Sequence, residues 1–141
     1  MSLANVFDIA SSALAGHMTR LNATASNMAN AGNVSSSERD AYKAKRVVFK
    51  TVLEDQMIGN VLRKAGSVMV ANVVDDPAPH PKLYDPNNPM ADETGYVYKS
   101  NVEEVAEMVE MLAAARSYQN NVEVINTAKQ LMSKTLDVAK A

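Results

Sequence analysis

Residues 102–141 read VEEVAEMVEMLAAARSYQNNVEVINTAKQLMSKTLDVAKA, a stretch without Gly or Pro. Met111, Tyr118, Ile125, Met132 and Ala139 recur every seven residues, and Met108, Ala115, Val122 and Leu136 flank them on one helical face. Asn101 is placed to cap the N-terminus, with Glu103, Glu104 and Glu107 near the positive end of the helix dipole. At 1.5 Å per residue such a helix is about 58 Å long. A compact domain of this chain length is only about 30 Å across. The helix must therefore project, or pack lengthwise against something of similar length.

The opposite end carries the same signal. Over residues 3–31, Leu3, Phe7, Ala10, Leu14, Met18, Leu21, Ala25 and Met28 step by three or four, and Asn30 and Gly32 supply a helix stop. The middle, 33–100, differs. Tyr42–Val52 and Ser67–Val74 are valine-rich and predict strands, as does Tyr96-Val97-Tyr98. Leu53, Met57 and Val61 between them suggest a short helix, against which Gly59 counts. All five prolines fall within 77–89, in a loop with Asp75, Asp76, Asn87 and Asn88 around it. The expected class is α+β. Long terminal helices, 1–32 and 101–141, pair as a coiled coil around a small β-rich insert, 33–100, that carries the Pro-rich loop 77–89. Each terminal helix presents an apolar stripe that so small an insert cannot cover, as expected of a self-assembling subunit.

No catalytic, cofactor or metal constellation emerges. There is no cysteine, which removes thiolate chemistry and disulfides. His17 and His80 read as surface or boundary residues. Asp75, Asp76 and Asp85 near His80 match no calcium loop and are better explained by turns. Ser35-Ser36-Ser37 has no nucleophile elbow around it and reads as a solvated loop. The net charge of −2 gives a nucleic-acid partner no electrostatic support. No segment reaches the ~18–20 apolar residues of a membrane span, and no cleavable signal peptide is visible. The basic run Lys43, Lys45, Arg46 and Lys50 is either a solvated strand face or an interface with a neighbour. Composition alone points to the cytosol.

Two segments resemble a known family. Leu21-Asn22-Ala23-Thr24-Ala25-Ser26-Asn27-Met28-Ala29-Asn30 is similar to the N-terminal signature of the flagellar rod and hook proteins. Arg116-Ser117-Tyr118-Gln119-Asn120-Asn121-Val122-Glu123-Val124-Ile125-Asn126-Thr127-Ala128-Lys129, continuing to Leu136, resembles a C-terminal signature of the same family. Phe7-Asp8-Ile9-Ala10, Gly95-Tyr96-Val97-Tyr98, Asn101-Val102 and the residues Pro86, Pro89, Ala91 and Asp92 add to it. One departure is Ala31-Gly32-Asn33-Val34, where the family usually has a Thr.

The resemblance implies a structural subunit of the proximal basal-body rod, not an enzyme. Such a subunit is exported by the flagellar type III apparatus without signal cleavage and stands in the periplasmic space. It assembles helically with itself and other rod proteins, transmits torque and helps form the axial export channel. The competing reading is a cytoplasmic helical export chaperone or adaptor. The expected helix seam is Leu3, Phe7, Leu14, Leu21, Ala25 and Met28, facing Met108, Met111, Ala115, Tyr118, Val122, Ile125, Met132 and Leu136. The amides of Asn22, Asn27 and Asn30 at or beside this seam would fix its register.

Overall fold

The computed structural model describes residues 3–58 and 61–140. Its elements in chain order are α1 (Leu3–Asn30), β1 (Val34–Ser35), β2 (Lys45–Ile58), β3 (Val61–Asp75), β4 (Lys82–Tyr84), β5 (Tyr96–Lys99) and α2 (Glu104–Lys140). The fold is α+β, with a helix at each end of the chain and small antiparallel sheets between. α1 ends where expected. Ala31 N–H donates to Met28 O and Asn33 N–H to Asn30 O, which tightens the last turn before Gly32.

β1, β5 and β4 form one sheet in that order. Val34 and Ser35 pair with Lys99 and Tyr98, and Lys82, Leu83 and Tyr84 pair with Tyr98, Val97 and Tyr96. Val97, wholly buried, is the centre of this sheet. The loop before β5 is organised by Asp92. Its Oδ1 accepts the backbone N–H of Thr94 and of Tyr96 and the Thr94 hydroxyl. The turn needs a left-handed residue, supplied by Gly95 at φ 84°. A Cβ there would also lie 2.9 Å from the Tyr84 ring.

β2 and β3 form a separate two-stranded sheet. Asp76 N–H donates to Ala44 O, which closes the open end of this ribbon. The short helix expected over 53–66 does not exist in the described residues. β2 runs on to Ile58 and β3 begins at Val61. The helical spacing of Leu53, Met57 and Val61 is outweighed by the pairing of β2 with β3. Ser35 is also misread as solvated loop: it is buried in β1, whereas Ser36 is exposed.

Two compact units are present. One comprises residues 20–47 and 73–112, the other 1–19, 48–72 and 113–141. Among the described side chains, the buried apolar residues of the first are Ala31, Ala41, Ala44 and Val97, and those of the second are Ala10, Ala114 and Ala128. Small side chains thus occupy most of the covered positions, which lets backbones approach closely. Gly16 shows this most clearly, since a Cβ on it would lie 2.8 Å from the Phe49 ring.

Candidate assembly surface

The unit of residues 20–47 and 73–112 is organised by one polar network. Asn27 on α1, 1% exposed, uses its whole amide. Its Nδ2 donates to Lys45 O and to Glu107 Oε2, both at 3.0 Å. Its Oδ1 accepts Lys45 N–H at 2.7 Å and the Tyr42 hydroxyl at 3.1 Å. Glu107 in the first turn of α2 is also 1% exposed, and its Oε1 accepts Arg46 Nη1 at 2.8 Å. Arg46 Nε donates onward to Asp76 Oδ2, and Asp76 Oδ1 accepts Ala78 N–H. The bond from Ala78 and then that from Arg46 hold the Asp76 carboxyl below its ordinary pKa. Desolvation opposes the charge on Arg46, but its bonds to Asp76 and Glu107 outweigh that and raise its pKa. Lys45 pairs with Asp75, and this bond raises the ammonium pKa.

Two expectations change here, those for the basic run and for Asn101. Lys45 and Arg46 meet neither solvent alone nor a neighbour's acids, but carboxylates of their own chain. Asp75 and Asp76 are committed to those cations, and among the described residues no group of three His, Cys, Asp or Glu is placed to hold a metal. Asn101 does not cap α2, which begins at Glu104. Its Oδ1 accepts Ala44 N–H, and its Nδ2 donates to Asp76 O and Ala78 O. Its amide is turned to these three loop partners, and it stands three residues before the first residue of α2. Glu107 serves the helix dipole only in part, its carboxylate being the centre of the network.

The histidines also separate. His17 is half-buried, its ring 6.2 Å from that of Phe49. His80 is buried, not a surface residue, because its Nδ1 donates to Lys99 O at 2.9 Å.

Of the expected seam, Phe7, Leu14, Leu21, Met28, Met111, Ala115, Tyr118 and Ile125 are half-buried. Asn22, Ala25, Met108, Val122, Met132 and Leu136 are exposed, and the side chain of Leu3 lies outside the described residues. Asn27 alone of the expected amides bonds across elements. Asn30 instead bonds to Ser26 O and Asn33, near the end of its own helix. The most deeply covered positions of α2 are Glu107, Ala114 and Ala128, which share one heptad position; Ala10 and Thr24, buried on α1, also lie two heptads apart. A search weighted toward large apolar residues passes over them. The signal that could have found them is the same period of seven carried by alanine and polar residues.

Within each unit the two helices touch. Arg20 pairs with Glu110 at 3.6 Å, and Asn27 bonds Glu107, so the numbering runs in opposite directions along α1 and α2. In the other unit, Val6 lines an open cleft with Asn120, Val124, Thr127, Ala128 and Leu131. The outer faces stay apolar. Val105, Met108, Val109 and Leu112 are 52–69% exposed, on the side of α2 opposite Glu107 and Ala114. Further along, Val124, Leu131, Met132, Leu136 and Val138 are exposed as well, Val138 by 79%.

The comparisons with known proteins place the chain in a family. The family model described as flagellar basal body rod FlgEFG protein C-terminal matches residues 93–138. The chain is 48% identical to the flagellar basal-body rod protein FlgC of Yersinia enterocolitica, 47% to that of Salmonella typhimurium and 46% to that of Escherichia coli O157:H7. Each match spans 140 residues, 99% of this chain and 100% of the relative. The chain belongs to the family of the flagellar basal-body rod protein FlgC.

Proposed function

We propose that this chain, a structural subunit of the flagellar basal-body rod, joins the rod through the exposed apolar side of its terminal helices. In this reading 1–32 and 101–141 pair as a coiled coil and line an axial export channel. The insert 33–100 fills the space outside them. The subunit stacks helically with copies of itself and with other rod proteins, transmits torque, and catalyses no reaction. It reaches the periplasmic space through the flagellar type III apparatus with its N-terminal region retained. The relatives' names support a rod protein and give no support to a cytoplasmic chaperone.

One observation carries the reading. Every described side chain of residues 129–138 is exposed, although Leu131, Met132, Leu136 and Val138 are apolar. An isolated helix gains little from propensity, so such a stretch is stabilised chiefly by packing, here against neighbouring subunits.

Leu131→Asp tests this. At an exposed position it should change the stability of the purified subunit by less than about 0.5 kcal/mol. In cells lacking the native gene it should give no complete rod and no swimming, because a neighbour would have to bury the carboxylate. Normal rods and swimming with this variant would refute the reading.

A further inference from the structure

Residues 39–46 hold four cations, and the structure treats them unequally. Lys45 and Arg46 are neutralised within the chain by Asp75, Asp76 and Glu107. Arg39 and Lys43 are exposed and, among the described residues, make no ion pair. Both line one open cleft of about 550 Å³ against the segment 77–79, and His80 lines it too. His80 is 8% exposed, and its Nε2 has no hydrogen-bond partner. Its Nδ1 faces the Lys99 carbonyl, which only accepts, so Nδ1 holds the proton. Nε2 is then an acceptor in the neutral ring and a donor in the cation. A carboxylate in the cleft can accept only from Nε2–H of the cationic ring. Glu38 in the lining is the one carboxylate opposing the two cations.

The same unit carries a complementary feature. Glu103 and Glu104 are adjacent, exposed and, among the described residues, without an ion pair. We infer that the cleft of Arg39, Lys43 and His80 receives the Glu103–Glu104 carboxylates of a second copy of this chain. On the rod reading the contact runs head to tail, each copy receiving from one neighbour and giving to the next; the reciprocal arrangement, in which two copies exchange both contacts, would close a dimer. Repeated from copy to copy, the head-to-tail contact builds an open helical array. This rests on the rod reading and adds to it a polar contact, at the start of α2, that sets the order of neighbouring copies. Charged contacts of this kind fix register and suppress wrong partners more than they add affinity.

A charge exchange in the full-length chain tests it in cells lacking the native gene. Arg39→Glu with Lys43→Glu, and separately Glu103→Lys with Glu104→Lys, should each reduce the number of complete rods at least about tenfold, since a tenfold loss needs only 1.4 kcal/mol. All four changes in one chain restore opposite charges between copies and should return rods and swimming to near the native level. Glu38→Gln should not reduce rod number, because that carboxylate opposes the occupant's charge. Circular dichroism of each purified chain reads folding. Folded variants that build normal rods overturn the proposal, as does a fourfold variant no better than the worse pair. A null strain that still swims without this gene would instead overturn the rod reading.

Discussion

The two units are held in different ways. In residues 20–47 and 73–112, buried Asn27 and Glu107 are satisfied by Lys45, Tyr42 and Arg46, and the loop residues Asp76 and Asn101 complete the set. In residues 1–19, 48–72 and 113–141, the covered positions among the described side chains are small: Ala10, Gly16, Ala114 and Ala128. The larger apolar residues of that unit's helix 113–140 are half-buried or exposed. A polar network specifies one geometry because each donor has one acceptor at the right distance. Small residues and exposed valines specify little until a partner arrives. On the rod reading proposed above, the first unit carries its structure within itself, and the second draws part of its stability from assembly.

The strongest way to break this comparison is Arg46→Ala. It leaves the Glu107 carboxylate buried with only the Asn27 amide. Removing one member of a buried pair costs about 3–5 kcal/mol. Arg46 is 43% exposed, so the low end of about 3 kcal/mol applies. Amide exchange at residues 22–30 and 104–110 should quicken by roughly a hundredfold. A change below tenfold would mean that the network is ornamental and the two units alike.

The second unit is probed by Gly16→Ala. A helix interior gains about 1 kcal/mol from alanine. Against that, the new Cβ meets Phe49 Cε1 at 2.8 Å, and overpacking costs about 1–3 kcal/mol. The expected net loss is about 1 kcal/mol in urea unfolding. Gly16→Ala combined with Phe49→Leu should lose less than the two single changes summed, because the shorter side chain makes room. Strict additivity would show that the helix and ribbon are not in tight contact there.

Much of this was legible in the chain. Both terminal helices follow from the sevenfold repeats of Phe7 to Met28 and Met111 to Met132, and β5 from Tyr96-Val97-Tyr98. The ribbon was legible only in halves, because Leu53, Met57 and Val61 also fit a helical period. The deepest positions of α2 within the chain, Glu107, Ala114 and Ala128, were not legible, because they carry small or charged side chains. The network itself was hidden for a physical reason. Asn27, Arg46 and Glu107 lie on three different elements, and nothing in their local spacing says that they meet. Asn101 before three glutamates has the pattern of a helix cap, and only tertiary partners diverted it.

The smallest effect expected is a pH dependence of the first unit. Asp76 has a folded pKa below its ordinary value of 3.8, by the bond from Ala78 and then that from Arg46. Asp92 is lowered likewise, first by the Thr94 hydroxyl and then by the Tyr96 N–H. Both residues, like Lys45 and Arg46, belong to residues 20–47 and 73–112. A depressed carboxyl binds its proton less readily folded than unfolded. Its contribution is therefore complete well above pH 3.8 and is lost as pH falls through the lower folded value. For Lys45 the sign reverses: its pKa is raised above 10.5, so its contribution holds below that value and disappears as pH climbs past it. Asp76→Asn should cost about 1 kcal/mol near neutrality, as a partly exposed ion pair does. The variant and native stability curves should then converge as acid protonates Asp76. Exchange measured along the same acid titration should rise first in residues 73–80 and 92–99, before 113–128 responds. Parallel curves with no convergence would mean that the Asp76 charge contributes nothing, and that the network rests on Asn27 and Glu107 alone.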